Sequence, residues 1–368
     1  MTRPIYIASE IYRRSTYGSR HPLAIPRVST TTDLIRALGW LDDDAYLDSP
    51  RATPDQLSRF HAPAYVDAVM RAERDQALSR DERDRFNIGV NGNPIYGEIF
   101  RRPATACGAS LAAADLLKDG GVVHSPAGGT HHGRPDRASG FCYFNDPALG
   151  MLAMLDGGLD RIAYVDIDAH HGDGVQDAFA DDPRVLTVSV HEHGRWPGTG
   201  GAEDRAGGAA RNIPVPPGFN DTEFRFVLEC AILPLVEDFA PQAIVVQCGA
   251  DALEEDPLSK LSLSNNAHRA AVRSLMPLAP RLLVLGGGGY NPWSVARCWA
   301  GVWAALNDLP IPRHLPPAAQ DVLRALTWNR REGRNPPEHW MSSLADSPRE
   351  GPVRDAVRQT VATVMAAP

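Results

Sequence analysis

Short apolar runs recur along the chain at intervals that leave room for a helix between them: Ile5–Ala8, Gly121–Ser125, Ile162–Asp166, Val185–Val190, Ala243–Cys248 and Leu282–Leu285. They are rich in Val and Ile and bounded by Gly, Pro or Asp, which is the pattern of strands buried on both faces. Helices are expected over 31–39, 64–80, 104–118, 145–156, 221–239 and 265–279. This alternation predicts an α/β fold, an open and mostly parallel sheet with helices on both faces. Residues 199–220, rich in Gly, Ala and Pro, read as a long surface loop. Val353, Val357, Val361, Val364 and Met365 have the spacing of an amphipathic helix docked on the core. The whole of 1–368 is expected to form one domain, with the proline-rich 309–350 and the residues to 368 wrapping or capping it.

Composition excludes several classes of function. Hydrophobic residues make up 43% and charged residues 22% of the chain, ordinary proportions for a globular protein. No apolar run approaches the roughly 20 residues of a membrane helix, and MTRPIYIASEIYRR lacks the features of an export signal. A net charge of −8 argues against a surface built for nucleic-acid phosphates. The cysteines (107, 142, 230, 248 and 298) are odd in number and form no C-x-x-C pair. Scattered reduced thiols of a cytoplasmic protein fit that pattern better than a disulfide framework.

Chemistry concentrates in IAYVDIDAHHGDG, residues 162–174. An apolar strand ends there in three carboxylates and two imidazoles. Side chains alternate along a strand, so Asp166, Asp168 and His170 would share one side if the extended backbone continued. Two oxygens and a nitrogen converging at a strand end suit a divalent metal such as Zn²⁺. Other strand ends add to the same rim: His131 and His132 follow VVHSP, Asp251 follows IVVQCG, and Tyr290 follows LLVLGGGG. Ligands of parallel sheets gather beyond the carboxyl ends of the strands. A metal hydrolase needs three protein ligands, an open position, a base and a donor for the developing oxyanion. Asp168, His170 and Asp251 supply the ligands, His131 and His132 the imidazoles, and Tyr290 a phenol. Asp166 and Asp173 remain as carboxylates that fix the two imidazole tautomers.

These residues resemble the zinc-dependent histone deacetylase superfamily, with its acetylpolyamine amidohydrolases and acetoin-utilisation-type proteins. The matching motifs are HPLAIPR (21–27), HHGRPDRASGFCYFND (131–146), DIDAHHGDG (166–174), TVSVH (187–191), PGTG (197–200), CGADAL (248–253) and GGGGY (286–290), in family order. The resemblance implies the arginase–deacetylase fold and a metal-dependent amidohydrolase, and the chain as a whole reads as cytoplasmic and bacterial. It implies Zn²⁺, or Fe²⁺ in the cell, on Asp168, His170 and Asp251. His132 with Asp173 takes the place of the general base, His131 with Asp166 that of an electrostatic partner, and Tyr290 that of the transition-state donor. Phe141 and Trp196 stand where the family walls its acyl-lysine channel, and Arg27 matches a buried arginine below the site. A monovalent cation, K⁺ or Na⁺, is implied near Asp166, Asp168, His170 and Ser189, and hydroxamates are the inhibitors expected.

Three competing readings are weaker. GGGGY as a dinucleotide loop would need Gly at 291, where Asn stands. A two-metal arginase-like site would need Asp at 253, where Leu stands. A binding module without turnover would lack a ligand or the tyrosine, and all are present. His191 and His193 read as polar loop residues, and Cys142 as packing. Substrate is left between acyl-lysine in a protein or peptide and an acetylated polyamine or other small amide. One polyamine-selective type carries a gating glutamate seven residues after the last ligand; here that position is Leu258, a channel residue. Glu254 and Glu255, or Glu82 and Glu98 in the 80–100 segment, are the remaining candidate partners for a distant cation. Self-association is left open.

Overall fold

A computed structural model describes residues 3–366. Its centre is one parallel sheet of eight strands: β1 Ile5–Ala8, β2 Tyr46–Asp48, β3 Gly121–Ser125, β4 Ile162–Asp166, β5 Val185–Glu192, β6 Ala210–Val215, β7 Ala243–Gln247 and β8 Arg281–Leu285. The spatial order is β2-β1-β3-β8-β7-β4-β5-β6. Alternate residues of the central strands enter opposite cores. Ala163, Val165, Ile244, Val246, Leu282 and Val284 face one layer. Ile162, Tyr164, Ala243, Val245, Leu283 and Leu285 face the other. Both faces are dry, which explains why these strands read as unbroken apolar runs.

The first layer is built around the helix Pro292–Leu306, whose Trp293, Trp299 and Trp303 are fully buried. Each indole N–H finds a carbonyl, on Leu323, Cys248 and Trp40 respectively, all at 2.9 Å. Large apolar surface and a satisfied polar tip are thus combined, and truncating one such Trp would cost about 3–5 kcal/mol. Helices Arg101–Leu116 and Asp146–Asp156 cover the opposite layer through Ala109, Ala113, Met151 and Met154.

Four expectations need correction. The stretch 199–220 is not all loop: Ala210–Val215 adds β6 to the edge of the sheet, parallel to β5. Pro214 disguises it, since proline is tolerated in an edge strand but reads as a breaker. Helix 64–80 stops at Asp75, where Gln76 turns left-handed (φ 50°), and a separate helix, Arg80–Phe86, starts from a Ser79 capping box. Helix 221–239 widens into a π turn at Leu228–Ile232, just before Pro234, which has no N–H to donate. Helix 265–279 ends at Leu275 in a short 3₁₀ turn, Met276–Leu278. The C-terminal helix Asp355–Ala366 buries Val357, Val361 and Val364, while Met365 is exposed.

Candidate active site

Register sets the floor of the site. Ser125 pairs with Leu285, Leu285 with Gln247, Gln247 with Asp166, and Asp166 with Ser189. Five adjacent strands therefore reach the same level side by side, and the loops that leave them converge. Beyond Asp166 the chain leaves the extended conformation, so strand alternation does not continue to His170. Side chains hold this turn: Asp166 Oδ1 accepts the Asp168 N–H at 3.1 Å, and Asp168 Oδ1 accepts the His170 N–H at 2.9 Å.

Asp168, His170 and Asp251 each offer a ligand atom, and these atoms lie within 4.8 Å of one another. His170 Nδ1 sits between Asp168 Oδ1 (3.2 Å) and Asp251 Oδ2 (3.0 Å). The carboxylates are fully buried, so two negative charges gather around one imidazole where water cannot screen them. Burial works against the His170 imidazolium, but its bonds to Asp168 and Asp251 outweigh it and hold the proton to about pH 10. A cavity that stabilises a cation so strongly, with two oxygens and one nitrogen, suits a divalent metal of borderline softness. The glycine loop leaves room for it: a Cβ on Gly288 would strike Asp251 Oδ2, and one on Gly249 would strike Asp168 Oδ2. The residues present therefore fit such an ion.

Two histidine–carboxylate pairs stand beside this cluster. His131 Nδ1 donates to Asp166 Oδ2 at 2.7 Å and His132 Nδ1 to Asp173 Oδ1 at 2.6 Å. Burial disfavours the His131 imidazolium, yet Asp166 and Asp168 raise it to about 9. In His132, burial and the neighbouring His131 charge drive it down to about 3. The pair is thus split into one imidazole that holds a proton and one free to accept. The outer support was only partly legible. Tyr164 donates to Asp166 Oδ2 at 2.8 Å, Gln247 Nε2 reaches Asp168 Oδ2 at 3.3 Å, and Arg134 grips Asp173. Tyr164 could have been found by its two-residue spacing from Asp166 on one strand face, and Arg134 by its place in HHGR. Gln247 carried no signal in the sequence.

Tyr290 is 7% exposed, and its backbone N–H donates to Asp256 Oδ2 at 2.6 Å. Phe141 stands against it, ring centroids 6.1 Å apart. Phe141 occupies left-handed backbone space (φ 68°), held by Asn93 Oδ1 on its N–H and the Tyr17 hydroxyl on its carbonyl. Strain of that kind in a bulky residue gathers at functional sites. Across from it Trp196 is half exposed and crosses the His132 ring at 4.7 Å. Phe141, Trp196, Leu258 and Tyr290 line a cavity of about 590 Å³ that opens to solvent above His132 and His170. A smaller inner cavity of about 60 Å³ lies below and is lined by Arg27. Arg27 donates to the Gly287 carbonyl at 2.6 Å and stacks on Trp299; burial lowers its proton affinity.

The remaining candidates have partners of their own. Ser189 bonds His191 Nδ1 at 3.0 Å. His191 is not a loop residue: it is buried in β5 and also reaches the Gly200 carbonyl at 2.9 Å. His193 follows the strand and is exposed. Cys142 is buried and lies 3.4 Å from the Gly140 carbonyl. Glu82 and Glu98, proposed as cation partners, do not line the open cavity, and neither do Glu254 and Glu255.

The chain is similar to known proteins over most of its length. Residues 21–306 match the model of the histone deacetylase domain. The chain is 37% identical over 309 residues to histone deacetylase 9 of Arabidopsis thaliana, covering 82% of this chain and 72% of that one. It is 33% identical to the acetoin utilization protein AcuC of Bacillus subtilis, with 86% and 85% covered. A crystal structure of an HDAC homolog complexed with SAHA superposes with a TM-score of 0.93 at 35% identity, over 98% of this chain and 99% of the other.

Proposed function

The chain belongs to the histone deacetylase family, and from that premise we propose that it is a metal-dependent deacylase of acylated lysine in proteins or peptides. One observation carries the reading: the Asp168–His170–Asp251 cluster reaches, through His170, a cavity walled by Phe141, Trp196 and Tyr290 and lined also by His132. Those three residues would hold the ion, Zn²⁺ or Fe²⁺, which supplies Lewis acidity to the amide carbonyl and lowers the pKa of water to about 7. Phe141 and Trp196 bury the alkyl chain of the substrate and exclude water around it. His132, its tautomer fixed by Asp173, takes a proton from the attacking water and returns it to the departing nitrogen. A carbon–oxygen bond forms as the amide carbon–nitrogen bond breaks, and carboxylate and free amine leave. His131, kept charged by Asp166, stabilises the negative charge that develops, and Tyr290 donates its hydroxyl to the same oxygen. A K⁺ or Na⁺ ion beside Asp166, Asp168, His170 and Ser189 belongs to this reading, supported by the pairing of β4 and β5 at Asp166 and Ser189. A cytoplasmic setting accords with five free cysteines, four of them buried.

The test pairs metal analysis with turnover. Purified protein of known metal content is assayed on a fluorogenic acetyl-lysine peptide, N-acetylputrescine and N-acetylspermidine, with SAHA as inhibitor. Peptide turnover blocked by SAHA is expected. Turnover of the acetylpolyamines alone would move the enzyme to the small-molecule branch and sink the lysine reading.

A further inference from the structure

One cationic side chain, Arg195, lines the mouth of the open cavity. Its outer lining consists of Asn87, Asn91, Ser139, Arg195, Trp196 and Leu258, and among the described residues no Asp or Glu lines it. Glu82, Glu254, Glu255 and Glu192 are committed elsewhere. Glu82 caps its own helix and binds Arg71 at 2.6 Å, while Glu254 and Glu255 are held by Arg349 at 2.5 and 3.1 Å. Glu192 lies behind Arg195 with its side chain only 5% exposed. It accepts from Arg195 Nε and Nη2 at 2.5 and 2.9 Å and from the Lys260 N–H at 2.7 Å. Arg195 Nη1 donates to the Leu258 carbonyl at 2.6 Å. The guanidinium is thereby fixed in one orientation, and the pair presents its positive end to the cavity.

We infer that this mouth sorts acylated amines by the charge flanking the amide, with Arg195 as the specificity-determining residue. An acylpolyamine carries a second ammonium a few carbons from the scissile nitrogen. At the rim that ammonium meets a guanidinium and neutral amides, with no carboxylate to replace its water. An acylated lysine flanked by neutral or acidic residues meets hydrogen-bonding partners and a favourable charge. The exposed face of Trp196 attracts cations and pulls the other way, but it is common to the native enzyme and its Arg195 variant, so their comparison isolates the guanidinium. The inference rests on the lysine-deacylase reading given above.

The experiment measures kcat/KM for N-acetylputrescine and for two acetyl-lysine peptides that differ only in carrying Asp or Lys on either side of the acetyl-lysine. Metal-loaded native enzyme is compared with Arg195→Gln and Asn91→Asp at low and high ionic strength. The native enzyme is expected to prefer the Asp-flanked peptide by about two- to five-fold, the size of a partly screened rim charge. High salt should shrink that preference. Both variants should bring the ratio toward unity and improve acetylputrescine relative to the Asp-flanked peptide. A ratio of two substrates on one preparation does not depend on the fraction folded. Should Arg195→Gln fail to fold, Asn91→Asp, on an exposed rim position, supplies the same comparison. Equal kcat/KM for the two peptides, or a ratio that neither variant moves, overturns the inference while leaving lysine deacylation standing. Turnover of acetylputrescine alone, or of none of the three, overturns the deacylase reading and the inference with it.

Discussion

Tyr290 is held by its backbone as well as by packing, through the hydrogen bond from its N–H to Asp256. Removing the hydroxyl should therefore leave the fold and the metal cluster intact while removing one donor to the developing oxyanion. Tyr290→Phe is expected to retain its metal and lose about 10²–10³ in turnover; metal analysis beside kcat checks both halves, and near-normal activity would refute the role. A different residue contributes to acid stability, beside other buried neutral histidines such as His124 and His191. His61 accepts the Asn145 N–H on Nε2 at 3.0 Å and places Nδ1 2.9 Å from the Arg134 carbonyl, so it is built in as the neutral ring. Burial lowers its pKa from 6.5 to about 4. The unfolded chain binds this proton at higher pH than the folded one, so stability falls as pH drops from about 6.5 to about 4. Denaturant melts across that window should show the decline, and His61→Gln should make it shallower while His124 and His191 keep part of it; an unchanged slope would assign the decline to other groups.

At the scale of elements, the loop after β8 is the most constrained. Gly288 gives its N–H to Asp168 Oδ2 at 2.7 Å and leaves no room for a side chain beside Asp251. Gly288→Ala should displace a carboxylate and abolish metal binding with little loss of secondary structure, as calorimetric titration with Zn²⁺ beside circular dichroism would show. Undiminished affinity would mean that the loop moves aside freely. What the sequence disclosed follows from the same physics. The six strands read from it were those buried on both faces, because continuous Val and Ile runs have no other common explanation. The two it did not disclose, β2 and β6, lie at the sheet edges, where three residues or an internal proline leave no pattern. Within the site, residues that bear chemistry at strand ends stood out by type. Gln247 and Asp256 act by bracing other groups, and nothing in their neighbourhood distinguishes them until the chain is folded. Arg195 was invisible for a related reason: its meaning depends on which carboxylates fail to reach the mouth.

For the whole molecule, the burial of Cys107, Cys142, Cys248 and Cys298 against the exposure of Cys230 gives a direct readout of the native state. A thiol reagent should titrate one cysteine in the folded protein and five after denaturation; rapid reaction of more than one would show that the layered core opens readily. The strand order has a consequence for how the protein comes into being. β8 is the last strand to emerge from the ribosome, yet it lies in the middle of the sheet, between β3 and β7. Until residues 281–285 are made, the nascent chain holds two half-sheets whose facing edges have nothing to pair with, and such edges recruit other chains. A product stopped at residue 280 should accordingly aggregate, as light scattering of the truncated chain would reveal. The final strand also delivers Tyr290, so the act that closes the sheet is the act that completes the site. A ribosome-bound intermediate is thus kept from turnover by topology alone.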